Sequence, residues 1–150
     1  MAAFPTRLRR VPGVSELLDA LETPGCVAPS SDLDRIELCL GITNLAGHFE
    51  PDRLFSTQMV AHAKPAPDLF LRSAEQCAAD PTGCLVVEDS PHGVAAARAA
   101  GMDVVGFVGG GHAGPLLGAR LESAGADVVL GDPSGLLTLL SGLAGPGAAQ

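Results

Sequence analysis

Three short stretches of this sequence carry the residue types that chemistry needs. In Val86-Val87-Glu88-Asp89-Ser90-Pro91-His92-Gly93, two adjacent carboxylates follow an apolar run. Acids at the end of a buried strand are costly unless something positive meets them. Hard oxygen ligands in this position suit Mg2+, which commonly takes one or two carboxylates plus phosphate and water. The plainer alternative makes Asp89 and Ser90 helix caps. In Ala63-Lys64-Pro65-Ala66-Pro67-Asp68 stands the one lysine of the chain, against eight arginines. An ammonium presented by two prolines suits a phosphate or a developing anion; the same segment also reads as a proline-rich helix entry with Lys64 in solvent. The third stretch, Cys26-Val27-Ala28-Pro29-Ser30-Ser31, is a strand-like run that ends in hydroxyls.

The elements that must position these groups alternate. Short β-prone runs are predicted at Cys26 to Ala28, Leu54 to Thr57, Cys84 to Glu88, Val104 to Val108 and Asp127 to Leu130. The run ending at Glu88 is apolar until its last residue, as a strand buried on both faces of a parallel sheet would be. Helices are predicted at Val14 to Glu22, Asp32 to Leu40, Pro67 to Ala79, Pro91 to Ala100, Pro115 to Ala124 and Ser134 to Leu143. Ser30 and Ser31 precede the second as capping oxygens, and Ser90 followed by Pro91 opens the fourth. This order predicts an α/β, doubly wound parallel sheet, in which ligands gather at the carboxyl ends of strands.

Composition narrows the function. The 150 residues suffice for one domain, predicted over 11–143, with a poorly defined segment at 1–10 and a flexible Gly/Ala/Pro tail at 144–150. A net charge of -8 argues against nucleic acid, because nothing could neutralise a run of phosphates. No apolar stretch is long enough for a bilayer, so no membrane partner is expected. No signal-type segment follows the charges of the first ten residues, which points to the cytosol. The four cysteines, Cys26, Cys39, Cys77 and Cys84, contain no C-x-x-C pair and are read as reduced packing residues. His48, His62, His92 and His112 are scattered and read as surface or loop histidines, with His112 a candidate for a pocket mouth. Gly109-Gly110-Gly111 reads as a flexible exit from a strand, or as a cradle for phosphate.

Taken together, Ala28-Pro29-Ser30-Ser31-Asp32-Leu33-Asp34-Arg35-Ile36, the Lys64 segment and the run from Val87 to Met102 resemble the haloacid dehalogenase-like hydrolases. The nearest likeness is to the branch of sugar-phosphate phosphatases and β-phosphoglucomutases, over roughly Val11 to Leu140. Gly106-Phe107-Val108-Gly109-Gly110-Gly111-His112 also looks like a loop of that branch. The resemblance implies phosphoryl transfer through an aspartyl-phosphate, with Mg2+ as cofactor and a small phosphorylated metabolite as substrate. It makes Asp89 a metal ligand, Glu88 a metal ligand or the carboxylate behind one, and Lys64 a catalytic cation that also binds phosphate. A mutase remains an alternative within the family.

The departures are as informative. The family's first motif is an apolar strand ending in Asp-x-Asp-Gly, which supplies both nucleophile and acid/base, and no such segment occurs in the 150 residues. Asp32-Leu33-Asp34 is followed by Arg35 and reads as a solvated first helical turn whose acids complement the helix dipole. The family's helical cap is also missing, so the chain reads as a core that begins too late. At the phosphate-binding hydroxyl of the second motif stands Pro29, which leaves Ser30 or Ser31 to bind phosphate by a shift of register. The expectation is a phosphatase-family core, inactive as written and with a gap between the Cys26 and Cys84 strands. The alternative is a non-catalytic domain that binds phosphate and metal.

Overall fold

A computed structural model of the chain describes residues 10–110 and 114–143. The expected tail at 144–150, most of the segment 1–10, Gly111 and His112 lie outside the described residues.

Among the described residues the sheet has three parallel strands: β1 (Leu85–Glu88), β2 (Asp103–Phe107) and β3 (Val128–Leu130), in that spatial order. Their register runs from Leu85 opposite Asp103 to Glu88 opposite Gly106, and from Val105 opposite Val128 to Phe107 opposite Leu130. The central strand is apolar on both faces because both are covered. Val104 faces a core with Val86, Val94, Ala96, Ala97, Met102 and Leu121, and neighbouring Val105 faces Leu17 and Leu136. Helices among the described residues supply those layers. Helices α4 (Pro91–Ala99) and α5 (Leu117–Ala124) cover the first face, and α1 (Val14–Ala20) and α6 (Pro133–Leu143) the second. This is the α/β architecture that the alternation predicts.

Helix α3 (Asp68–Gln76) brings Phe70 and Ala74 into the first core. Helix α2 (Leu33–Ile42) stands apart: Ile36 and Leu40 pack on Leu54 with Val27 beside them, as a separate cluster. The two expected strands here reduce to a single parallel bridge between Val27 and Leu54. Val27 N–H donates to the Arg53 carbonyl at 2.9 Å, and Phe55 N–H donates to the Val27 carbonyl at 2.8 Å. A ladder grows only where a further strand supplies the next row of bonds, and among the described residues none joins this bridge to β1. Among the described residues β1 is therefore an edge strand, and its Val87 is 44% exposed, unusual for valine in a parallel sheet.

Two predicted caps are resolved by the structure. Ser90 caps α4, its Oγ accepting from Gly93 N–H at 3.0 Å, with Pro91 at the first helical position. At α2 the cap is Asp32 rather than Ser30 or Ser31: its Oδ1 accepts from Arg35 N–H at 2.9 Å. Asp32 is the residue one position before the first helical one, so its carboxylate reaches the free amides that the serines cannot. Asp34 lies in that first turn, exposed, so both acids of Asp32-Leu33-Asp34 belong to the start of a helix.

At the far end of the sheet, Asp127 continues the ladder past β3. Its N–H donates to the Val104 carbonyl at 2.8 Å, and its Oδ2 accepts from Val104 N–H at 2.8 Å while Arg98 Nη1 holds Oδ1 at 3.1 Å. Among the described residues no helix is long and apolar enough to cross a membrane.

Candidate functional site

The site is built where β1 ends. Glu88 is the last residue of the strand, Asp89 and Ser90 form the turn, and α4 begins at Pro91. The Lys64 loop reaches this strand end from the other side, carried by the start of α3. Lys64 Nζ stands 2.8 Å from Glu88 Oε2, and the two side chains are only 5% and 11% exposed. The ammonium also lies 4.7 Å from the centroid of the ring of Phe70, the third residue of α3. A cation over a ring face is held by the quadrupole of the ring, and more so when desolvated.

Burial of this pair has a cause in the sequence around it. Gly93 lies under the Glu88 carboxylate so closely that any β-carbon there would overlap it. Glycine at the third position of α4 thus lets the acid fold back over the amino end of the helix, where the helix dipole favours negative charge. Glu88 Oε1 accepts from Asp89 N–H at 3.3 Å, so each oxygen of the carboxylate has a donor. Asp89 itself is exposed beside it.

Sequence reasoning placed Lys64, Glu88 and Asp89 in one site, and the fold brings them together. Ser30 and Ser31 are placed differently. The Ser31 carbonyl accepts from Thr57 N–H at 3.2 Å, which ties this loop to the Leu54 segment, and no described contact joins either serine to the Lys64–Glu88 pair. Phe70 and Gly93 were not expected. Phe70 carried a signal only as an apolar position on α3, and Gly93 only as the residue two beyond Pro91.

The donor set bears on metal binding. Among the described residues no group of three or more His, Cys, Asp or Glu side chains is placed to hold a metal ion. Mg2+ needs fewer, since water and a ligand's phosphate complete its shell. Asp89, exposed at the turn before α4, is a carboxylate of the type that suits such an ion, with the Glu88 carboxylate beside it. Among the described histidines, His62 Nδ1 lies 3.1 Å from Asp68 Oδ2, His48 Nδ1 lies 3.6 Å from Asp19 Oδ1, and His92 is exposed.

A buried ammonium, an acid holding it, and an exposed acid at a helix start can bind and neutralise an anion. An ammonium has three N–H donors, of which Glu88 takes one.

Comparison with known proteins shows the family of the chain. A family model described as haloacid dehalogenase-like hydrolase matches residues 3–101. The 6-phosphogluconate phosphatase of Escherichia coli K12 is 30% identical over 114 residues, covering 76% of this chain and 51% of that protein. The fructose-1-phosphate phosphatase YqaB of the same organism is 42% identical over 82 residues, covering 55% of this chain and 43% of that protein. A crystal structure of a conserved haloacid dehalogenase-like protein from Agrobacterium tumefaciens superposes with a TM-score of 0.89 at 34% identity, covering 95% of this chain and 65% of that one. The chain thus spans about half the length of the curated relatives it matches.

Proposed function

The chain belongs to the haloacid dehalogenase-like hydrolases, and from that premise we propose that it carries the anion-binding half of a Mg2+-dependent phosphatase site for a small phosphorylated metabolite. The observation that carries the reading is the Lys64–Glu88 pair, buried at the carboxyl end of β1 with Asp89 exposed beside it. Relatives named as phosphatases of 6-phosphogluconate and fructose 1-phosphate support a substrate of sugar-phosphate type.

Each residue has a chemical task in this reading. Lys64 donates to the phosphoryl oxygens and neutralises their charge, which matters most in a transition state with charge spread over those oxygens. Glu88 keeps the ammonium aimed, and Phe70 backs it. Asp89, with Glu88 behind it, would hold Mg2+, which when bound supplies further charge neutralisation to the phosphate. Ser30 and Ser31 stand as phosphate donors only if their loop shifts toward Lys64.

The other half of the chemistry has no candidate in these 150 residues. No Asp-x-Asp-Gly occurs, and the one Asp-x-Asp is occupied in starting α2. The chain is therefore proposed to bind phosphate without hydrolysing its esters. Incubation with p-nitrophenyl phosphate and with hexose phosphates in Mg2+ tests this by release of inorganic phosphate. The expected rate equals that of the Asp89→Asn variant and of buffer; turnover that falls on Asp89→Asn substitution would overturn it.

A further inference from the structure

The loop that carries Lys64 is closed twice. Ala66 N–H donates to the Ala63 carbonyl at 3.0 Å, a tight turn with Lys64 and Pro65 at its centre. Around that turn, Asp68 Oδ2 accepts from the backbone N–H of His62 at 3.2 Å and lies 3.1 Å from His62 Nδ1. Asp68 is the first residue of α3, and Pro67 before it offers the helix no side-chain cap. An acid at such a position ordinarily needs no further account, since it complements the helix dipole. Here its oxygen reaches back across the loop, to the residue two before Lys64. His62 is exposed and Asp68 partly buried, while the Lys64 side chain inside the closure is 5% exposed.

We propose that Asp68 is a positioning residue of the anion site: it clasps the backbone at His62 and thereby fixes where Lys64 enters the end of β1. The inference rests on the reading of Lys64 as a phosphate-binding cation. In that reading the ammonium stands 2.8 Å from Glu88 Oε2 and 4.7 Å from the Phe70 ring centroid and keeps its other N–H groups for an anion. A lysine side chain has many rotamers, so the place of its backbone decides which of them meets all three demands. Pro65 and Pro67 hold φ at two positions of the loop, but proline supplies no N–H with which to fasten it. The His62 N–H is such a donor, and Asp68 is the acceptor that the fold presents to it. Phe70 lies two residues further along the same helix, so the clasp ties the loop to the element that also carries the ring beside the ammonium.

Chemistry separates this role from that of a charge at a helix start. As a charge, Asp68 would lose its effect on conversion to asparagine, because the amide is neutral. As an acceptor for the His62 N–H it would keep it, because asparagine presents an oxygen of the same reach. The bond to the main chain also makes the clasp independent of the imidazole, so His62→Ala leaves it in place. Placement of this kind shows in binding, since anchoring a loose loop when the anion arrives costs ordering entropy.

The single lysine makes the test direct, because acylation of a lysine in this chain is acylation of Lys64. The full chain and its variants are treated with acetic anhydride, and the rate at Lys64 is read by peptide mass mapping. Inorganic phosphate is titrated calorimetrically into untreated samples with Mg2+ present. In Asp68→Ala, acetylation of Lys64 is expected to quicken and phosphate binding to weaken, each by about tenfold, the usual worth of one hydrogen bond to a charged group. Asp68→Asn and His62→Ala are expected to match the parent chain in both. Unchanged acetylation or unchanged phosphate affinity in Asp68→Ala, or an Asp68→Asn chain that behaves as Asp68→Ala does, would overturn the proposal. A parent chain that binds no phosphate would overturn the reading of the site, and the acetylation rates would still decide whether Asp68 places Lys64.

Discussion

Lys64→Ala is expected to cost about 3–5 kcal/mol of stability, the usual range when one partner of a buried ion pair is removed. The side chains are 5% and 11% exposed, so water cannot take over from the lost ammonium, and the Glu88 carboxylate is left uncompensated. Urea denaturation measures the loss. A control separates this from simple loss of packing: in Lys64→Met combined with Glu88→Gln, no uncompensated charge remains. The double variant is expected to recover much of the loss, because replacing both partners by neutral groups of like size removes the desolvation penalty with the attraction. If Lys64→Ala is as stable as the parent chain, the pair is more hydrated than its burial indicates.

Gly93→Ala is the second large effect, and it tests the same geometry from the helix side. The new methyl would occupy the place of the Glu88 carboxylate, so the acid must leave Lys64 or α4 must shift. Overpacking of this kind costs about 1–3 kcal/mol, and here separation of the ion pair adds to it. The two substitutions act on one contact, so they should not be additive. With methionine at 64, Glu88 no longer gains from pointing at position 64 and can swing aside. Gly93→Ala should therefore cost less in the Lys64→Met background than alone. Equal costs in both backgrounds would show that the methyl is accommodated without moving Glu88.

The contrast between what the sequence announced and what it hid has a physical basis. Strands β1 and β2 were legible as short apolar β-branched runs, and in β2 Val104 and Val105 are buried on opposite faces, whereas Val87 of β1 is exposed. Helix α4 was legible because Ser90-Pro91 is a start signal with a mechanism. The two segments around Val27 and Leu54 looked equally strand-like, yet they form one bridge. Local preference makes a segment extended, but only a neighbouring strand makes it part of a sheet. Likewise Ser30 and Ser31 had the oxygens of a cap, but capping depends on position to within a residue, and Asp32 holds that position.

The site divides in the same way. Lys64, Glu88 and Asp89 stood out because a lone lysine between alanine and proline, and paired acids after an apolar run, are unusual in themselves. The distance between Lys64 and Glu88, 24 positions apart, is a property of the fold and has no local signature. Phe70 and Gly93 were hidden for a related reason: each is an ordinary residue in its own segment and acquires a role only where the fold closes Lys64 onto Glu88.

The central claim, that the end of β1 binds phosphate with the help of Mg2+, is tested most directly by calorimetric titration of inorganic phosphate into the folded chain with Mg2+ present. The predicted result is saturable binding at one site per chain that weakens on Asp89→Asn substitution by about tenfold, equivalent to about 1.4 kcal/mol, and weakens likewise when Mg2+ is withheld. A folded chain that gives no saturable heat, or one whose binding is unchanged by Asp89→Asn and by removal of Mg2+, would contradict it.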